Sequence, residues 1–304
     1  MFFVVANVEI NMFLSKFSRP FRLGDIIYSY ICGGYNNDTR QKLYKLYKMD
    51  KQKGWSYTKP LLTVLLFCVI QALSGIMVAL FTKFQGGGFS FDTQISVTLL
   101  VSNVVSILAA WKLLGVVRMK GQWQCKNLSW RSGTLAVMGA ALGIFATDLF
   151  AEMLDLPNII EATMAGLASN ALGILALAVV GPVTEEIIFR EAVLGSMLRS
   201  GVSPWRAMAF SALCFGIIHF NPAQIPFACV VGFILAYIYY KTESIVLTSI
   251  VHIINNSVAC IEMNVLGERA ATFSYTDLLG GPVAVTFIMA VCACLSFFLL
   301  RKSW

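Results

Sequence analysis

The sequence predicts an all-α fold, a polytopic membrane helical bundle of about eight transmembrane helices. Of 304 residues, 58% are hydrophobic and only 13% charged, where a soluble domain carries about 25% charged residues. Apolar runs of about 20 residues recur, each long enough to cross a hydrocarbon layer of about 30 Å. The alternating segments of about 10 residues that build an outer-membrane barrel are absent, which excludes that class.

The first element is a polar, basic N-terminal region over residues 1–60. Within it Lys42, Lys45 and Lys48 interleave with Leu43, Tyr44, Leu46 and Tyr47, a spacing that suits either an interfacial helix on anionic headgroups or a solvated cytoplasmic extension. The opening MFFVVANVEINMF has no basic n-region or small-residue cleavage site, so no cleaved secretory signal is expected.

Spans are then expected near 61–81, 95–117, 134–154, 163–181, 205–220, 223–240, 244–262 and 282–300. Residues 61–160 form the N-terminal helices, 161–262 a core, and 263–304 a C-terminal loop and last helix. Charge orients them. Lys112, Arg118, Lys120, Lys126 and Arg131 crowd the loop after the second span without an acid, whereas Asp148, Glu152, Asp155 and Glu161 crowd the next loop without a base. The basic loops belong in the cytoplasm, and an even count puts both termini there. This accounts for the net charge of +7; no interleaving of aromatic and basic residues points to nucleic acid.

One stretch resists the tally. Gly181-Pro182 should break the fourth span, leaving residues 183–199 as a helix sunk partway into the cytoplasmic half of the bundle. The eight cysteines lack any CxxC pair and read as packing residues. Gly139 and Gly143 form a GxxxG that the abundance of small residues in spans explains better than a packing device does. Gly86, Gly87 and Gly88 read as a flexible loop. Gln71 and Asn103 read as interhelical hydrogen-bond partners.

Ionisable groups inside a membrane are expensive, and those that persist usually face a cavity or one another. Three clusters stand out: Glu185, Glu186 and Arg190 in TEEIIFR; His219 in CFGIIHF; and His252, Asn255 and Asn256 in VHIINNS. Glu186 and Arg190 are four apart with the acid N-terminal, the better orientation for an ion pair. Glu185 is rotated by about 100° and left to face a cavity as a candidate general base. His252 and Asn256 share a helix face, where two donors converging on a carbonyl would suit an oxyanion. His219 with Glu185 would hold and deprotonate a water.

The ordered set EExxxR at 185–190, FxxxH at 215–219 and HxxxN at 252–256 resembles the CPBP family of intramembrane proteases, which includes the type II CAAX prenyl endopeptidases and bacterial Abi proteins. The resemblance covers roughly residues 165–260. It implies Glu185 as the base activating water, His219 as its positioning partner, and His252 with Asn256 as the oxyanion site. Glu186 and Arg190 would hold the motif helix. Where the family commonly has Gly after the motif arginine, this chain has Glu191, expected to reshape the cavity entrance.

The chain lacks HExxH, and a metal-free glutamate mechanism is favoured as what the family resemblance implies. The alternative is zinc or another divalent metal held by Glu185, His219 and His252. The expected substrate is a peptide or protein with a membrane-proximal tail, reached from the cytoplasmic side or laterally from the lipid bilayer of a bacterial plasma membrane. Two rivals stand beside this: a non-enzymatic immunity or binding protein, and an ion or proton transporter, against which no inverted repeat is found.

Overall fold

A computed structural model describes residues 37–84, 90–112, 114–115, 117, 128–267, 269 and 273–304, with side chains from Tyr57 onward. The chain divides into Met1–Gly54 and Trp55–Trp304. Of the first unit only the helical backbone from Asn37 is described. The side chains of Lys42, Lys45 and Lys48, the Gly86–Gly88 loop, Cys32 and Cys125 therefore lie outside the described residues. The remaining six cysteines are free thiols.

Every regular element among the described residues is helical. In chain order these are α1 (Asn37–Phe84), α2 (Phe91–Lys112), α3 (Trp130–Met153), a short α4 (Glu161–Ala168), α5 (Ala171–Arg199), α6 (Pro204–Ile217), α7 (Gln224–Thr242), α8 (Ile245–Leu266), a single turn α9 (Tyr275–Leu278) and α10 (Pro282–Lys302). Seven are long and apolar enough to cross a membrane: Tyr57–Phe84 within α1, and α2, α3, α5, α7, α8 and α10. The one expected crossing not among them, 205–220, coincides with α6. Its 14 residues reach only about 21 Å at 1.5 Å per residue.

The expected break at Gly181-Pro182 does not occur. Residues 171–199 form one continuous span, because the helix widens to a π-helix over Leu175–Val180 just ahead of the proline. Gly181 N–H bonds back to Ala176 O, five residues away, so the register is already loosened where Pro182 brings no donor. A second π-helix runs over Ile187–Gly195. The chain breaks earlier instead, at Ser169-Asn170, where the Asn170 side chain accepts from Gly173 N at 2.7 Å and donates to Gly166 O at 3.1 Å, capping α5. A Cβ on Gly173 would stand 2.1 Å from Leu167 O, so only glycine fits this turn. The span expected at 163–181 is thus shifted, and residues 183–199 are its second half rather than an extra segment.

Burial is deepest on α5. Ile188, Phe189, Ala192, Val193, Leu194 and Met197 are almost wholly enclosed and anchor the largest hydrophobic core. Across the bundle, α3 and α10 meet at the two glycines of the GxxxG. A Cβ at Gly139 would stand 2.9 Å from Leu300 Cγ, and one at Gly143 would stand 2.6 Å from Ser296 Oγ. These glycines are a packing device after all.

Contacts identify one end of the bundle. Asn221 donates to Asn158 Oδ1 and accepts from Ile159 N, tying the end of α6 to the loop after α3. Glu152 of α3 accepts from Ser274 Oγ, Tyr275 N and Thr276 N. Asn264 of α8 donates to Ala168 O at the end of α4.

Candidate active site

The motif helix is held by one buried carboxylate. Glu186 Oε2 accepts from Arg190 Nε at 2.9 Å and Oε1 from Arg190 NH2 at 3.2 Å, both side chains being fully enclosed. The pairing expected from the i, i+4 spacing is therefore present, in the bidentate form that lets an arginine fork satisfy a carboxylate. Arg190 NH1 donates to Ser211 Oγ at 3.3 Å, and Ser211 donates on to Phe189 O at 2.8 Å, which clasps α6 to α5. A contact that the spacing did not reveal completes the set: His252 Nδ1 lies 3.1 Å from Glu186 Oε1. A carboxylate only accepts, so Nδ1 carries the proton and donates. Through Glu186, then, α8 is locked to the motif helix.

Glu185 turns the other way, into a cavity of about 730 Å³. Its Oε2 lies 3.7 Å from His252 Nε2, beyond direct hydrogen bonding. His219, on the turn after α6, also lines the cavity. Its Nδ1 is 2.8 Å from Phe215 O, a carbonyl that can only accept, so Nδ1 is again the protonated nitrogen and Nε2 is left for the cavity.

Phe215 sits at the centre of the three clusters. His219 and His252 meet its ring at centroid distances of 5.1 and 5.7 Å, and the Arg190 guanidinium lies 4.9 Å from its centroid. It is the residue that sequence reasoning undervalued, quoted only as the first letter of FxxxH. An aromatic in an apolar segment carries no signal of its own until the ionisable groups around it are located.

Asn256 lines the cavity while Nδ2 donates to Leu177 O at 2.9 Å and its carbonyl accepts from Asn255 Nδ2 at 3.0 Å. Leu177 lies inside the first π-helix, where the altered register makes a carbonyl available. One of the two amide hydrogens of Asn256 is so engaged, and the second is left for another acceptor. Gln71 Nε2 donates to Asn103 Oδ1 at 3.2 Å, the interhelical pair expected of them. Glu191 does not shape the cavity entrance. It is fully buried elsewhere, accepting from the Tyr239 hydroxyl and pairing with Arg199 NH1 at 2.9 Å, because the π-helical turn carries it to the side facing α7. Among the described residues no three His, Cys, Asp or Glu side chains are grouped so as to hold a metal ion. Glu185, His219 and His252 share the cavity without forming such a group.

The cavity runs from Glu185, His252 and Phe215 at its floor to Asp148, Glu152, Asn158, Glu161, Glu262 and Tyr275. These last residues belong to the end where the loop after α3 meets α9. The sequence reading put Glu185 toward the opposite, basic end. The difference arises because Glu185 lies midway along the long α5 rather than at the start of a short helix. Burial raises the Tyr275 phenol above its ordinary pKa, and its bond to Glu262 adds to the rise, so the hydroxyl stays protonated and donates.

With this geometry in hand, the comparisons are specific. The model of the family described as Type II CAAX prenyl endopeptidase Rce1-like matches residues 167–258, which contain all three polar clusters. The chain is 24% identical over 214 residues, 65% of its length and 86% of the relative's, to the Bacillus subtilis (strain 168) protein named "Putative membrane peptidase YdiL". It is 25% identical over 160 residues, 49% of its length and 84% of the relative's, to UPF0177 protein YxdF of Lactococcus lactis subsp. lactis (strain IL1403). No solved structure matches it significantly. Over residues 167–258, which hold the three polar clusters, this integral membrane protein is similar to the type II CAAX prenyl endopeptidase Rce1-like family, in line with the CPBP resemblance that those clusters carry.

Proposed function

We propose that this membrane peptidase is a glutamate-type intramembrane endopeptidase that hydrolyses a peptide bond in a peptide or protein tail near the membrane face. The observation that carries the reading is the division of labour between adjacent carboxylates: Glu186 is consumed by Arg190 and His252, whereas Glu185 faces a cavity shared with His219 and His252. A buried charge fully satisfied by partners is structural; the one left facing a cavity is available for proton transfer.

In this mechanism a water sits between Glu185 and His219 Nε2. Glu185 takes one proton as the water oxygen bonds to the carbonyl carbon, and the C=O electron pair moves onto oxygen. His252 and Asn256 donate to that oxyanion, which requires His252 to be protonated on both nitrogens while Glu186 holds the Nδ1 side. The tetrahedral intermediate then collapses, the C–N bond breaks, and Glu185 returns its proton to the departing amine. The two relatives are bacterial, and the reading extends to a bacterial plasma membrane with both termini cytoplasmic.

The test is cleavage of a quenched-fluorescent peptide library by the detergent-solubilised protein, with and without chelator. Wild-type cleavage is expected to survive chelator and to fall by at least about 10³-fold in Glu185→Ala. Retained cleavage in Glu185→Ala overturns the role of Glu185, and chelator-sensitive cleavage restored by zinc moves the three cavity residues into a metal site.

A further inference from the structure

We infer that the cavity admits its substrate from the non-cytoplasmic side of the membrane, and that the segment it admits is a cationic peptide. The inference rests on the peptidase reading above and names the substrate class and the side from which it arrives. Two independent features support it, the position of the mouth and the charge of its walls.

Position follows from the ends of the helices. α2 ends at Lys112, α3 begins beside Arg131, α5 ends at Arg199, α7 ends beside Lys241, and α10 ends at Arg301 and Lys302. These termini lie at one end of an antiparallel bundle, accompanied by a single loop acid, Glu243. At the other end the loops between 154 and 170, between 217 and 224, and between 266 and 282 contain one cation, Arg269, while Lys83 closes α1. Retention of basic loops in the cytoplasm puts the first end inside and the second outside. The cavity reaches from the middle of the bundle, where Glu185 and His252 lie, to Asn158, Glu161 and Tyr275 at the second end, and none of the basic helix ends of the first lines it.

Charge is equally one-sided. Among the described residues five carboxyl groups line the cavity, those of Asp148, Glu152, Glu161, Glu185 and Glu262, and no lysine or arginine does. Glu152 is committed to the α9 turn and Glu262 to Tyr275, but hydrogen bonds from neutral donors leave their charge in place. A concave site with low-dielectric walls in which one sign of charge predominates concentrates ions of the opposite sign and raises their on-rate by roughly 10- to 10³-fold. An anionic peptide has to approach against the same field.

The experiment uses a peptide that the detergent-solubilised wild type cleaves, made membrane-impermeant and synthesised in two forms with lysines or glutamates flanking the scissile bond. Each form is added to right-side-out and to inverted membrane vesicles containing the full chain. Cleavage is expected in right-side-out vesicles, with the lysine form at least roughly tenfold faster. Raised salt or the double variant Asp148→Asn/Glu161→Gln should narrow that preference. Cleavage confined to inverted vesicles, or equal rates for the two forms, overturns the inference while leaving the peptidase intact. Retained cleavage in Glu185→Ala overturns the catalytic reading instead. Side is also read without activity: Leu156→Cys is expected to react with an impermeant maleimide in intact cells, and Trp304→Cys only after permeabilisation, each above the background of the unsubstituted protein. The reverse pattern overturns the inference.

Discussion

Glu185 and Glu186 are neighbours in sequence with opposite energetic situations. Glu186 takes three hydrogen bonds from two partners in full burial, so removing it strands the Arg190 guanidinium without a counter-charge. Breaking such a buried pair costs about 3–5 kcal/mol. Glu186→Ala is therefore expected to lower thermal stability in detergent by that order and to lose activity through misfolding. Glu185→Ala should leave stability within about 0.5 kcal/mol, since it removes no such partner, yet lose cleavage. Thermal unfolding of both variants beside their peptide-cleavage rates separates the two outcomes; equal destabilisation would mean that Glu185 is structural as well. The division itself was legible in the spacing EExxxR. The grip of Glu186 on His252 was not, because 66 residues separate them and no local rule pairs them.

Helix α5 does its positioning through irregularity. Two π-helical stretches flank a regular turn, Gly181–Glu186, that carries the two glutamates. They let the chain pass Pro182 without a break and bring Leu177 O to Asn256. Sequence rules for proline foresee a stop because they assume α-helical register; a π-turn removes the need for the missing donor. Elsewhere the packing rule of small residues proves sharper than its frequency suggests. At Gly143 any added side chain would meet both Ser296 Oγ at 2.6 Å and Ile234 Cδ1 at 2.9 Å. Gly143→Leu is expected to push α10 off α3 and cost about 1–3 kcal/mol, measured as a drop in melting temperature. The same change at Gly133, where a Cβ would meet only Leu128 side-chain atoms at 3.3 and 3.8 Å, should cost less. If the two cost the same, the close approach at Gly143 is not what holds the helices together.

For the molecule as a whole, the charge distribution and the helix count support one another. Replacing the two expected segments 163–181 and 183–199 by the single span α5 leaves the number of crossings unchanged once α6 is counted. α6 connects the Arg199 end to the Asn158 end, so it reverses direction as a crossing does, although it is short. A cytoplasm-dependent reporter fused after Trp304 is accordingly expected to be active, and one inserted at Gly280 inactive. Activity at both positions would mean that α10 does not cross. The reporter readings bear equally on the side from which the cavity opens, since its rim and Gly280 lie at the same end.

Much of this protein was determined by sequence alone, for a physical reason: the cost of placing polar groups in lipid is paid locally. Apolar runs, loop charge and the rare ionisable residues inside spans follow from that cost, and they yield the membrane class, the helical fold and the three clusters. Tertiary structure decided which of those residues share a cavity, what Glu186 binds, where Glu191 goes, and at which end the cavity opens. Those depend on helix register around Pro182 and on contacts between segments far apart in the chain, energies that no local pattern in the sequence carries.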